Sequence, residues 1–367
     1  MTTQSVKFKK ESADDFYPTI KKRVNEYFEQ NNLSKLAPAS YFIKISSFIL
    51  LYFFVYFNLI FNVTSLRGLF FSFILLGFLV FFIFLNVVHD AAHGSIFKKK
   101  QSNHVLLYFL EMFGTSNYIW RIRHLESHHI YPNIFGLDTD IKQSDLVRIS
   151  NQHPFKIHHQ FQHLYMPILY FIYTLNWTIV RDFRDITSDN IGPKVNIKHP
   201  WEQVVLLLFS KLFYFFYTLI LPVLLLNFSF WAIFGAFLVM HFTTSFCAVF
   251  ILVSSHVGED AVFPKADENR YIDHTWAEHQ LIVTADFAAD NRLITTLVGG
   301  FNLHVVHHLF PHVSHAHYPV LTKILKETAA EFGLSYNSYT LKEALISHWK
   351  LLKKNSFKEH SAILNEA

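Results

Sequence analysis

Four long apolar runs, separated by polar stretches of very unequal length, outline the chain. The first, Tyr41–Val63, has Lys44 near its start, where a lysine amine reaches the membrane interface by snorkelling. A five-residue polar break, Thr64–Gly68, leads into Leu69–Val88, which carries no charge. Glu202–Leu226 is the third run, with Lys211 inside it and a kink expected at Pro222. A short turn, Asn227–Phe230, joins it to the fourth, Trp231–Ser254. Each run is near the roughly 20 residues that a helix needs to span a bilayer. The short breaks within each couple predict two antiparallel transmembrane hairpins.

The remaining stretches are more polar. Residues 1–40 read as an arm with helical character over Pro18–Gln30, and 353–367 as a solvated tail, leaving 41–352 as the membrane domain. His104–Trp120 is weakly apolar but carries Glu111 and Asn117, which fits an interfacial or re-entrant segment. Arg121–Lys198 is polar except for Leu164–Val180, a patch broken by Pro167 and Asn176 that reads as helices lying on the membrane surface. No secretory signal is evident, because the first apolar run is too long for a cleaved hydrophobic region. Lys7, Lys9, Lys10, Lys21, Lys22, Arg23 and Lys35 precede the first hairpin and Lys98, Lys99 and Lys100 follow it, with only Arg67 in its turn. The positive-inside rule then puts both ends of the hairpin, and both termini, in the cytosol.

Composition sharpens this outline. Hydrophobic residues make up 51% of the 367-residue chain and charged residues 16%, against about 25% charged in a soluble domain. A net charge of +4 without a basic, aromatic-interleaved stripe gives no support to nucleic-acid binding. The single Cys247 excludes an internal disulfide framework and cysteine-held zinc or iron–sulfur sites. The second anomaly is 23 histidines against 28 acidic residues.

Nine of those histidines cluster by spacing and by expected depth. His304, His307 and His308 lie at i, i+3 and i+4 in Gly299–Pro311, offsets that bring side chains onto one face of a helix. His89 and His93 stand at i, i+4 where the second run ends, with Ala91 and Ala92 leaving room around them. His124, His128 and His129 repeat the pair with an adjacent ring, and His256 closes the fourth run. Both of these runs point the same way across the membrane, so the topology predicts that all nine imidazoles gather at one membrane face. That is more than the four or so ligands one zinc takes, and it suits two metals. Imidazole serves Zn, Cu, Fe and Ni, so two irons are the preferred choice and not the only one. Asp90, Glu126, Asp286 and Asp290 are the carboxylates near enough in sequence to orient the rings.

HDAAH, HLESHH and HVVHH, in this order and with paired spans between them, resemble the three histidine boxes of the membrane fatty acid desaturases. The similarity extends through RIRHLESHHIYPNIFGLDTDI and WAEHQLIVTADF and covers most of Phe84–Pro319. The resemblance implies a non-haem site of two Fe ions that takes electrons from a carrier and activates O2 to remove two hydrogens from an acyl chain. It also implies that His89, His93, His124, His128, His129, His304, His307 and His308 are the metal ligands, with His256 as the additional histidine at the end of the fourth span. Within the family the chain is most similar to front-end enzymes of the acyl-lipid or linoleoyl-CoA type. It departs from many of them in having His304 where they carry Gln, and in lacking the His-Pro-Gly-Gly motif of a fused cytochrome b5 domain. The expected partners are therefore an acyl-CoA or acyl-lipid substrate, membrane lipid, and a separate electron donor, a ferredoxin or a free cytochrome b5. Lys98–Lys100, Arg121 and Arg123 read equally as plain positive-inside charge or as a basic face suited to docking an acidic carrier or binding a phosphate.

Other histidines read differently. His158, His159 and His163 have box-like spacing but match no box; His312, His315 and His317 are expected to hold the cap together. His241 lies about 22 Å along the helix from His256, too far to join the site, and is expected to bond within Thr243–Ser245. The expected fold is an all-α integral membrane protein: four transmembrane helices in two hairpins, interfacial helices, and a cytosolic helical cap over a di-iron site. The expected activity is fatty acyl desaturation, with a di-iron lipid hydroxylase or ketolase as the alternative. A metal transporter would need more ionisable residues along the spans, and a seven-span zinc hydrolase more spans and fewer histidines.

Overall fold

The computed structural model describes residues 5–141 and 144–357. Four helices are long and apolar enough to cross a membrane: Ala39–Asn62, Leu66–Ala92, Trp201–Leu225 and Phe230–His256. The longest have 27 residues, about 40 Å at about 1.5 Å per residue. The chain is an integral membrane protein. The second and fourth of these helices run past the ends of the apolar runs that announce them, by the turns that carry His89 and His256.

In chain order, strand β1 (Lys7–Lys9) and helix α1 (Phe16–Gln30) precede the first span, α2 (Ala39–Asn62). The second span is α3 (Leu66–Ile83), a π-helical turn at Phe84–Val88, and α4 (His89–Ala92). Next come α5 (Lys100–Met112) and α6 (Asn117–Arg123), which runs into a π-helical turn at His124–His128. Short helices α7 (Gln162–Leu169), α8 (Tyr173–Asn176) and α9 (Asp182–Ile186) follow, interrupted by a 3₁₀ turn at Tyr170–Ile172 and a π-helical turn at Trp177–Arg181. The third span is α10 (Trp201–Phe215), a π-helical turn and α11 (Leu221–Leu225); the fourth is α12 (Phe230–His256). Beyond it lie β2 (Tyr271–Thr275), α13 (Trp276–Val283), β3 (Asp286–Phe287), α14 (Arg292–Leu297), α15 (His304–Leu309), α16 (Tyr318–Glu331), β4 (Ser338–Tyr339) and α17 (Leu341–Lys354). The expected helical architecture is thus joined by two small parallel ribbons, β1 with β2 and β3 with β4. Tail residues 358–367 lie outside the described residues.

The membrane helices approach closely where a small residue allows it. α3 packs along both α2 and α12. At Gly77 a β-carbon would lie 2.6 Å from the Met240 carbonyl oxygen, so only glycine fits. Thr244 Oγ1 donates to the Gly77 carbonyl at 2.9 Å, adding the polar contact that small-residue helix interfaces favour. Over the histidines, α1 presents Phe16, Ile20, Val24 and Phe28 at i, i+4 spacing to α13, α15 and α16, and all four are buried. Each such side chain stabilises the cap by about 1.5–3 kcal/mol. Helix α1 of the N-terminal arm therefore packs on the segments that follow the fourth span.

Lys211 does not snorkel to an interface. Its Nζ meets Asp182 Oδ2 at 2.5 Å and donates to the Gly114 carbonyl oxygen. Asp182 also accepts from the Ser116 backbone N–H and from Trp177 Nε1. This buried pair ties the third span to the segments before it.

Candidate metal centre

Four elements carry the nine histidines, and local backbone irregularities decide where each ring points. Rings at i and i+4 of a continuous α-helix share a face. The π-helical turn at His124–His128 breaks that rule: the His129 N–H donates to the His124 carbonyl oxygen, five residues back, at 3.0 Å. His124 is thereby paired with His129, and His128 is turned to the other side. The expected His124–His128 pair is not the one formed. In α15, His304 and His308 stay together while His307 points away from them. The turn before α15 depends on Gly299, at φ 61°, where a β-carbon would lie 2.8 Å from the Leu85 carbonyl oxygen. Asp286 Oδ1 accepts the Val305 N–H at 2.9 Å and so holds the first turn of α15.

The result is two groups. His89, His93, His124, His129 and His307 each bring a ring nitrogen to one point, and His128, His256, His304 and His308 to a second, with the nitrogens of each group within 4.8 Å of one another. His124 Nε2 lies 3.3 Å from His93 Nε2 and 3.1 Å from His129 Nε2, which is 3.1 Å from His307 Nε2. His304 and His308 approach to 3.2 Å. Two nitrogens each about 2.0–2.1 Å from one ion lie about 3.0–3.4 Å apart, so these contacts have the spacing of a coordination edge. All nine rings are buried. His89 Nε2 and His256 Nε2 meet no hydrogen-bond partner among the described residues, as befits atoms whose lone pairs point at a cation. The residues fit two metal ions.

Further partners fix ring orientation from the opposite nitrogen. His128 Nδ1 lies 3.1 Å from Asp138 Oδ2, His308 Nδ1 2.8 Å from Gln280 Oε1, and His307 Nδ1 3.1 Å from the Tyr318 hydroxyl. His256 Nδ1 donates to the Val283 carbonyl oxygen at 3.2 Å. These contacts set Nε2 as the free nitrogen, the arrangement by which outer partners raise ligand basicity. Burial, reinforced by neighbouring imidazoles, pushes His93, His124, His129, His304, His307 and His308 well below the usual histidine range and keeps them as neutral donors. For His128 burial works the same way, but the charge and hydrogen bond of Asp138 outweigh it and raise the ring.

Of the carboxylates expected to orient rings, Asp90 is at the site. It sits 3.8 Å from His89 Nδ1 and is bonded at 2.8 Å to His315 Nδ1. Asp286 acts on the α15 backbone, Glu126 pairs with Lys194, and Asp290 is exposed. Asp138, Gln280 and Tyr318 were not singled out from sequence, although Asp138 lies in the stretch GLDTDI and Gln280 in WAEHQ. His312 Nδ1 bonds the His93 carbonyl oxygen, and His317 that of Leu36. His158 and His159 both bond the Asp145 carbonyl, and His163 bonds Ser356, so none of the three belongs to the centre. His241 bonds Tyr214 and Thr174, and Ser245 joins through Thr174. Arg123 is buried against Asp185 and Thr139 and leaves the proposed basic face to others.

Nine buried imidazoles in two groups, beside four membrane-length helices, define a membrane protein with a paired histidine site able to hold metal. The fatty acid desaturase family model matches residues 64–340, and the chain belongs to that family. It is an oxidoreductase that desaturates fatty acyl chains. The sn-1 linoleoyl-lipid 6-desaturase of Arthrospira platensis is 32% identical over 367 residues, covering 100% of this chain and 98% of that one. The acyl-lipid (8-3)-desaturase of Physcomitrium patens is 31% identical over 360 residues, covering 95% and 74%. The sn-1 linoleoyl-lipid 6-desaturase of a Synechocystis strain is 31% identical over 361 residues, covering 96% and 98%.

Proposed function

We propose that this enzyme desaturates acyl chains of membrane lipids at a centre in which His89, His93, His124, His129 and His307 hold one iron and His128, His256, His304 and His308 a second. One observation carries the reading. A single cavity of about 330 Å³ has His89, His124, His128, His256 and His304 in its wall at one end and Tyr214, Met240 and His241, inside the spans, at the other. Along α12 the lining recurs at Met240, Thr244, Ala248, Leu252 and His256, one helical stripe, which rises about 24 Å. A fully extended chain advances about 3.3–3.6 Å for every three bonds, so this depth takes a tail of roughly twenty bonds. Relatives named for linoleoyl-lipid and acyl-lipid substrates support a lipid carrier.

Bound iron would supply O2 activation, so that acyl chain, O2, two electrons and two protons give an alkene and two waters. The protein supplies the rest. Asp138, Gln280, Tyr318 and the Val283 carbonyl keep four rings in one tautomer. Trp120 stacks on His124 at 4.8 Å and Phe301 packs on His304 at 4.1 Å, which keeps water from the cavity end of the centre. The apolar wall holds the chain beside the histidines.

The charges flanking the first two spans support two hairpins with the termini and the centre on the cytosolic side. Electrons come from a separate ferredoxin or cytochrome b5. Exposed Lys98, Lys99 and Lys100 follow His93 closely, and exposed His312 bonds its carbonyl, which supports docking of an acidic carrier on that side. The test is expression in a host of known lipid composition, with fatty-acid analysis and metal analysis of the purified protein. New double bonds and about two irons per chain, a number that follows from nine imidazole ligands, are expected. A hydroxylated product would move the reading to a hydroxylase, and one zinc without iron would overturn the di-iron centre.

A further inference from the structure

Among the described residues, the wall of the cavity reaches the surface at two places. Of the residues that line it, Leu146, Ile172 and Asn176 are exposed, and the others are buried or half-buried. Leu146, 50% exposed, lies beside the Asp145–Lys156 ion pair, and its carbonyl accepts from the Tyr165 hydroxyl. Ile172, 42% exposed, and Asn176 lie four residues apart in the broken segment of α7 and α8. No charged residue occurs from Ile168 to Val180. The rim of this second opening is apolar and exposed: Ile168, Phe171, Ile179, Val180, and Phe246 of α12, whose ring stacks on Phe171 at 5.8 Å. That rim continues the lipid-facing surface of the fourth span.

The segment packs against α12. Its inner side carries Thr174, whose hydroxyl meets His241 Nδ1 at 2.9 Å and Ser245 Oγ at 2.7 Å. Its backbone changes hydrogen-bonding register at a 3₁₀ turn and again at a π-helical turn, and α7 contains Pro167. A wall built of such short pieces opens at its joints more readily than a continuous helix.

We propose that the slot at Ile172 and Asn176 is a lateral entrance through which the acyl chain of a bilayer lipid slides into the cavity while its headgroup stays at the membrane surface. The inference rests on the acyl-lipid reading above. Sideways passage between uncharged side chains keeps every methylene out of water, whereas threading past Leu146 would take the tail by the charged Asp145–Lys156 pair, with a penalty that grows with each methylene exposed.

The test uses the full chain in phosphatidylcholine nanodiscs doped with a phospholipid bearing a diazirine on its acyl chain. After photolysis, labelled peptides are mapped by mass spectrometry, a readout independent of turnover. The wild type should be labelled inside the cavity, on the α12 stripe. Ile172→Trp, and separately Asn176→Trp, should lower that interior labelling severalfold while labelling of lipid-facing Leu208 and Leu212 on α10 stays unchanged, which also reports that the variants are folded. Leu146→Trp should leave the interior labelling intact. Interior labelling indifferent to both slot variants, or abolished by Leu146→Trp alone, overturns the entrance and leaves the acyl site standing. Absence of interior labelling in the wild type overturns both.

Discussion

Asp138 offers the sharpest test of how the centre is held. Its buried carboxylate makes three contacts: Oδ2 lies 3.1 Å from His128 Nδ1 and accepts the Asn133 N–H at 2.9 Å, and Oδ1 accepts the Asp140 N–H at 2.8 Å. Asp138→Asn preserves the volume but offers one acceptor and one donor. If the amide oxygen keeps His128 and Asn133, its NH2 faces the Asp140 N–H; turned round, it faces the other two. Either way a buried donor loses its partner and His128 loses the charge that orients it. A hydrogen bond to a charged group contributes about 1.5–3 kcal/mol, and outer-shell losses of this kind weaken metal binding by about 10–100-fold. Anaerobic titration of the metal-free protein with ferrous iron against a competing chelator should show that loss at one of the two sites. Asp145→Asn, at an exposed ion pair, should show none. Wild-type iron affinity in Asp138→Asn would refute the claim that this carboxylate holds the ring.

Three further outcomes are expected. His307→Ala and His128→Ala remove a ligand from different groups, so each should lower iron content and abolish the unsaturated product, as read by metal analysis and fatty-acid profiling. Lys211→Met leaves Asp182 buried without its counter-charge and should destabilise the protein by about 3–5 kcal/mol, whereas Lys211→Met with Asp182→Asn should recover most of the loss in thermal unfolding in micelles. Burial lifts Glu111 from 4.5 to about 7, so its stabilising contribution is complete below pH 4.5 and is lost as pH rises to about 7. The thermal midpoint should fall over that interval in the wild type relative to Glu111→Gln, and equal pH profiles would rule the effect out.

What the sequence conveyed and what it concealed divide along physical lines. Apolar runs of membrane length and histidines at helical spacing are local properties, so the spans and all nine clustered rings were legible. Ring-orienting contacts are not local. His308 meets Gln280 across 28 residues of chain, and no periodicity marks such a pair. Lys211 stands in the sequence only as a charge inside an apolar run, because its partner, Asp182, lies in a segment whose position only the packed structure fixes. The three-residue strand β1 is too short to carry an alternating pattern. Asp138 was concealed for another reason: in GLDTDI it resembles any acidic loop residue until the fold brings His128 to it.

The division of histidines between the two groups follows from the same distinction. Ideal helices would keep the i, i+4 pairs His89–His93, His124–His128 and His304–His308 together, which would make three half-sites. The structure crosses them instead. The π-helical turn adds one residue between the carbonyl and N–H that close it, which advances His129 onto the face of His124 and rotates His128 towards His256. His307 leaves His304 and His308 to join the first group, since i+3 and i+4 neighbours of one residue diverge by about 100° around a helix. The second and third boxes therefore each contribute to both groups, and α4 and α12 complete one apiece. A centre assembled this way cannot form from any single element, so it reports on the docking of the cap against the spans. The apolar contacts of α1 and the turn at Gly299 are accordingly part of what holds the two histidine groups, although neither carries one of the nine rings.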